Sequence, residues 1–300
     1  MKKKTYLIAL MAMALTLGSC SDNENGIGGE TSKYITVSTS IGNMTRVATD
    51  ANGGQTFEEG DEISVYAWTG APTVAPETRE RVVNNAINKL TNGAWVSTPQ
   101  MLWKNNRDKH YFIGVYPTAA ISDLSAGEYT FDVNKQTESD LLVAVNKDGI
   151  SYNADEQQTV PLTFTHVMAK LVVNLTYKNQ WGGIPTVEKV VVGNAAKEAI
   201  INYLTKVVTP STTTKEDFSL PEITENTKYV SVIIPQEDVK QLTIVIGGKN
   251  FVYDNGTPFK LESGKITTVN LEVGRDEIKL GDVKITNWED GSTFSGEALN

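Results

Sequence analysis

The chain has 300 residues, with 36 acidic against 27 basic side chains, a formal net charge of −9 and a single cysteine. Such a charge repels nucleic acid and anionic membrane surfaces, and one thiol permits no intrachain disulfide, so stability must come from buried apolar cores. At roughly 100 to 200 residues per domain, the length predicts two domains.

Met1-Lys2-Lys3-Lys4 is a positive n-region, and Tyr6 to Leu17 is an apolar stretch short for a bilayer span. Leu17-Gly18-Ser19-Cys20 is a lipobox. Small residues at Gly18 and Ser19 let an extended backbone enter a peptidase cleft, and the Cys20 thiolate is suited to take a diacylglycerol thioether. Residues 1–19 are expected to be a lipoprotein signal peptide and Cys20 the lipidation site, with any membrane attachment made through that lipid. The segment SDNENGIGGETS that follows has one apolar side chain and no periodicity, so residues 20–33 read as a flexible acidic tether.

From Tyr34 the hydrophobic period becomes two. Ile35, Val37 and Ile41 alternate with polar residues; so do Ile63, Val65 and Ala67, with Ser64, Tyr66 and Trp68 on the other face, and Val160, Leu162 and Phe164. Further β-rich runs are 111–116, 141–145, 171–175, 187–192, 229–234, 242–246, 251–253 and 266–273. Hairpin turns are predicted at Asn92-Gly93, Asp148-Gly149, Gly182-Gly183, Gly247-Gly248 and Asp254-Asn255-Gly256, whose residues tolerate positive φ. Arg79 to Leu90 reads as a strand entering a hairpin with Trp95 on the return. Gly193 to Leu204, with Ala195, Ala196, Ala199, Ile200 and Leu204, is the better candidate for a short helix. The pattern predicts an all-β chain of two β-sandwiches with little helix, residues 34–158 and 159–300, divided near the polar stretch 152–158.

Little in the sequence points to catalysis, and the chain is not expected to be an enzyme. With Cys20 lipidated, His110 and His166 cannot assemble a zinc set, and no metal or cofactor is expected. His166, inside an apolar strand, reads as structural, and His110 at a strand entrance as solvated. No nucleophile elbow or phosphate-binding glycine loop occurs. Glu58, Glu59, Asp61 and Glu62 beside Gly60 read as a solvated turn, and a glycosidase carboxylate pair is a distant third reading. Asp50 to Asp61 partly follows calcium-loop spacing, but Gly54 stands at the third ligand position and Asp61 where a bidentate Glu belongs. Trp68, Trp95, Trp103, Trp181 and Trp288 are expected mainly in cores, although exposed ones would suit stacking on a glycan. Thr45-Arg46-Val47 follows the first strand and precedes a Gly/Asn/Asp stretch, which places Arg46 in a loop open to an arginine-specific protease.

Taken together, these pieces resemble the Mfa-like fimbrillin family, type V pilus subunits and surface lipoproteins of the Bacteroidetes. The likeness rests on the lipobox, on Ile35 to Ile41 with Thr45-Arg46, on Phe57 and Gly60 to Tyr66, and on Trp103 with Tyr111 to Pro117. It continues through Asp140 to Ala144, Phe164 to Leu171, Gly264 to Asn270 and Ile285 to Trp288. The acidic Ser21 to Glu24 is similar to the segment after the lipidated cysteine in surface-exported lipoproteins. The resemblance implies two transthyretin-like Greek-key β-sandwich domains in tandem. It also implies an outer-membrane lipoprotein at the cell surface, serving as a structural or accessory pilus subunit. In such a subunit a protease cuts after an arginine beyond the first strand, and a neighbour's C-terminal strand fills the opened groove. Carried onto this chain, Arg46 is the cleavage residue, Ile35, Val37 and Ile41 are displaced, and Ile278, Leu280, Val283 and Ile285 form the donor strand. These four alternate with polar residues except for a slip at Gly281-Asp282. The partners implied are other pilus subunits, bound by strand addition. The alternative is a non-polymerising surface lipoprotein that binds glycan or host protein.

Overall fold

The computed structural model describes residues 33–42, 56–153, 158–254, 256–275 and 278–288, all within one unit spanning residues 31–300. Cys20, Arg46 and the Asp50 to Gln55 stretch lie outside the described residues. Of the described residues 58% are strand and 4% helix. In chain order the strands are β1 (Thr36–Ile41), β2 (Glu62–Thr69), β3 (Arg81–Thr91), β4 (Ala94–Thr98), β5 (Lys109–Tyr116), β6 (Gly127–Thr130) and β7 (Leu142–Ser151). There follow β8 (Thr159–His166), β9 (Ala169–Tyr177), β10 (Val187–Ala196), β11 (Glu198–Asn202), β12 (Val207–Pro210) and β13 (Lys215–Ser219). The last six are β14 (Glu222–Thr224), β15 (Lys228–Ile233), β16 (Gln241–Ile246), β17 (Lys249–Asp254), β18 (Lys265–Val273) and β19 (Ile278–Asn287).

Seven strands form the first sheet, ordered β1-β8-β7-β5-β2-β3-β4. It curls until its two end strands meet, and the Trp95 indole N–H donates to Thr39 Oγ1 at 3.0 Å across the seam. The inner face encloses a core of Ile35, Val37, Ile63, Val65, Phe112, Leu162 and Phe164. A five-stranded sheet, β14-β15-β9-β18-β19, and a four-stranded one, β13-β10-β16-β17, share the second core. The short sheet β12-β11-β6 joins the two regions, since β6 lies among first-sheet segments and pairs with β11. The chain passes from one large sheet to the other at Val167-Met168, so β8 belongs to the first sheet. Both regions close alike: β1 runs parallel to β8, and β9 runs parallel to β18.

The sequence expectations hold for the runs that became β1, β2, β5, β7 to β10 and β15 to β18, and for the β3–β4 hairpin at Asn92-Gly93. Gly247 and Gly248 take φ of 57° and 71° in the β16–β17 turn, which is where glycine is needed. The expected helix at 193–204 is instead the end of β10 followed by β11. A bulge between Val192 and Ala195, with Asn194 at φ 54°, turns Ala195 and Ala196 inward consecutively and so imitates helical spacing. Asn202 then caps a turn, its Oδ1 accepting the Leu204 and Thr205 N–H groups at 3.1 and 3.0 Å. Asp148-Gly149 is not a hairpin turn either. It lies within β7, where Gly149 (φ 69°) sits in an irregularity opposite Tyr111.

Strand β2 is buried on both faces rather than one, because Tyr66 and Trp68 underlie the segment 117–131. The Tyr66 hydroxyl donates to Ala119 O and accepts the Ile121 N–H at 2.9 Å, and Ser64 Oγ accepts the Ala119 N–H at 3.0 Å. Arg81 donates to Ile121 O and Ser122 O, each at 2.6 Å. Tyr66→Phe leaves the buried Ile121 amide and Ala119 carbonyl without this partner, and is expected to lower stability by about 1–3 kcal/mol, read from urea unfolding.

Candidate functional site

Strand β1 is the element that the family resemblance expects to be displaced. Its N-terminal end is held on both sides: the Ile35 N–H donates to Met101 O at 2.9 Å, and the Trp103 N–H to Lys33 O at 3.1 Å. Beyond that point one ladder holds it, the parallel pairing with β8 from Thr36–Thr159 to Ile41–Phe164. Gly42 N–H extends this ladder to Phe164 O at 2.7 Å, and Ser40 Oγ donates to Thr163 Oγ1 at 3.2 Å. Its other edge faces β4 across a groove of about 640 Å³ lined by Thr39, Ile41, Phe57, Leu90 and Trp95 among others. Alternation sends Ile35 and Val37 into the first core, 2% and 6% exposed, while Ile41 is half-buried at the open end.

Phe57 closes that end. Its ring meets those of Trp95, Tyr116 and Phe164 edge-on, with centroids at 5.3, 5.4 and 5.1 Å. Sequence reasoning gave Phe57 no role at the groove; an aromatic just before an acidic turn was the available signal. The turn itself is as expected, and its carboxylates serve the backbone. Asp61 accepts the Glu58 N–H at 2.7 Å, Glu59 accepts the Asn92 and Gly93 N–H groups, and Glu62 pairs with Lys89 at 2.9 Å.

Strand β19 pairs antiparallel with β18, from Val273–Ile278 to Lys265–Asn287. The slip at Gly281-Asp282 is a bulge opposite Asn270, whose amide donates to Asp282 Oδ1 at 2.5 Å. Ile278 and Leu280 lie partly buried against the core, whereas Val283 and Ile285 are each 38% exposed. Because β9 and β18 already complete the sheet's parallel closure, β19 is an added strand on the outer edge. Cys20 and Arg46 lie outside the described residues, so the structure does not place them beside either strand.

The two histidines differ from each other. His110 is not solvated: it is fully buried, its Nδ1 faces Asp108 O at 3.1 Å, and its Nε2 accepts the Lys104 N–H at 3.1 Å. Burial is the main cause holding its pKa below the ordinary histidine range, against the opposing Asp108 carbonyl. His166 is structural as expected, its Nδ1 2.7 Å from Asp140 Oδ1. Among the tryptophans, Trp68, Trp103 and Trp288 are buried while Trp95 and Trp181 are half-buried. Among the described residues no group of three or more His, Cys, Asp or Glu could hold a metal ion.

Fold and site together define a tandem β-sandwich protein built around strand pairing. The fimbrillin-like family model matches residues 45–288, and the chain belongs to that family. The match begins just after β1 and ends at Trp288. A cell adhesion protein from Bacteroides uniformis has a similar structure, with a TM-score of 0.62 and 18% identity over 88% of this chain and 100% of that one. One from Bacteroides ovatus gives 0.62 and 17% over 85% and 98%, and a fimbrial protein from Bacteroides vulgatus gives 0.53 and 13% over 84% and 99%. No curated protein matches the sequence.

Two outcomes follow from this geometry. Ile35→Ala is expected to cost roughly 2–5 kcal/mol in urea unfolding, whereas Val283→Ser on the exposed strand stays within about 0.5 kcal/mol. His110 is disfavoured as imidazolium in the fold, so the unfolded chain takes up the proton first as pH falls through the ordinary histidine range. Its contribution is complete at neutral pH and is lost on acidification, and His110→Gln is expected to flatten stability against pH between about 7 and 5.

Proposed function

We propose that this chain is a fimbrillin-like outer-membrane lipoprotein that serves as a structural or accessory subunit of a surface pilus, assembled by protease-triggered strand exchange. In this reading Cys20 carries the lipid and an arginine-specific protease cuts after Arg46. Strand β1 then leaves with the lipid, and β19 of a neighbouring subunit enters the vacated groove. The observation that carries the proposal is the placement of β1. For most of its length one ladder holds it, its apolar side chains line a core, and its free edge opens onto a groove. Loss of such a strand exposes backbone groups of β8 together with side-chain pockets, and one incoming strand can satisfy both.

Burial of Ile35 and Val37 at about 1.5–3 kcal/mol each, with the ladder added, makes spontaneous departure rare, which gives the cut its purpose. Strand β19 suits donation because the second core is closed without it. The same reading divides the chain into two sandwich units, with the crossover taken at Val167-Met168 because β8 pairs with β1 and β7.

A second reading, a non-polymerising surface lipoprotein that binds glycan or host protein, draws support from the two hydrogen bonds that pin the start of β1 on the Met101–Trp103 side. Treatment of residues 21–300 with trypsin separates the two. A clean cut after Arg46 followed by ladders of polymer is expected of the pilus subunit. Resistance at Arg46, or a cut chain that stays a stable monomer, would favour the second reading.

A further inference from the structure

Strand β19 is bulged, half-exposed and paired on one side, yet the residue that follows it is a buried tryptophan. Trp288 is 5% exposed. Its ring lies flat on His166, with centroids 4.1 Å apart and planes 7° from parallel, and Lys170 Nζ stands 5.4 Å from the indole centroid. Its backbone N–H donates to Gly264 O at 3.1 Å.

The seat under the indole is built where the chain crosses between the two large sheets. His166 ends β8, and its ring is held through Nδ1 at 2.7 Å from Asp140. The Gly264 turn is tied to the crossover by its N–H to Met168 O at 2.8 Å and by Ser263 Oγ to Val167 O at 2.8 Å. The Trp288 contacts are therefore made to a braced surface, whereas Val283 and Ile285 rest on the edge of a sheet.

We propose that Trp288 is the latch that keeps β19 docked on its own subunit, with the His166 ring and Lys170 ammonium as its seat and Asp140 as the positioning residue. Strand retention is concentrated in the final side chain. Undocking the indole frees the β19 end, and the ladder then opens from Asn287 toward Ile278. The seat grips the indole by its faces alone. Its Nε1–H is buried without a hydrogen-bond partner, and on release it regains water, which offsets part of the lost stacking. A latch of this kind holds a strand firmly without making its departure prohibitive.

The inference deepens the strand-donation reading, but its test stands apart from assembly. Hydrogen exchange by mass spectrometry on the full chain is compared for wild type, Trp288→Ala and Trp288→Phe. Expected is exchange of β19 amides at least about tenfold faster in W288A, with β2, β5 and β8 unchanged and with W288F close to wild type because a stacking ring is kept. Unchanged β19 exchange in W288A would overturn the latch, and so would acceleration spread evenly over β2, β5 and β8, which marks a general core residue. A separate assembly assay on chain cut after Arg46 tells the two ideas apart. Faster polymerisation of W288A supports both, while loosened β19 with no polymer in either protein keeps the latch and refutes donation.

Discussion

The parallel pairing of β1 with β8 is the constraint on which the rest depends. A parallel neighbour cannot be reached by a tight turn, so β1 joins its partner from more than a hundred residues away. It completes a sheet whose other strands are linked mainly by antiparallel pairing. Among the described strands of the first sheet, β1 alone has no antiparallel strand partner. The curl that brings β4 alongside it without a backbone ladder leaves its far edge open, and Phe57 and Trp95 cover that opening with aromatic edges rather than with hydrogen bonds.

The C-terminal sheet repeats the parallel closure with β9 and β18 and then adds β19 outside it. The molecule therefore has one peripheral strand at each end of its described chain, differently secured. β1 is secured by its ladder with β8 along its length and by Ile35 and Val37 in the core at its start. β19 is secured mostly at its tip, where Trp288 meets His166. A strand held along its length resists thermal loss and suits removal by a protease. A strand held at one point can change partner once that point yields.

Much of the fold was legible because alternation is a strong signal wherever one face is buried, as in β1, β8 and β9. The errors fall where a local irregularity breaks the period. The Val192–Ala195 bulge imitated a helix, and the Gly149 irregularity in β7 imitated a turn. The burial of Tyr66, and of His110, which was expected to be solvated, escaped the sequence because segments 117–131 and 104–108 pack on them through contacts distant in sequence or through loop geometry that no periodicity records. The candidate site was legible in part. The apolar alternations of β1 and β19 and the slip at Gly281-Asp282 all stand in the sequence, while the Phe57 cluster and the Trp288 seat depend on tertiary juxtaposition. Cys20 and Arg46 are read from their motifs alone.

Strand exchange requires that β8 can trade one strand partner for another. The most direct measurement is amide exchange along Thr159–Phe164 in the chain cut after Arg46, before and after addition of a synthetic peptide of residues 278–288. These amides are expected to lose protection when β1 departs and to regain it when the peptide is bound. Protection that survives the departure of β1, or that the peptide fails to restore, would contradict it.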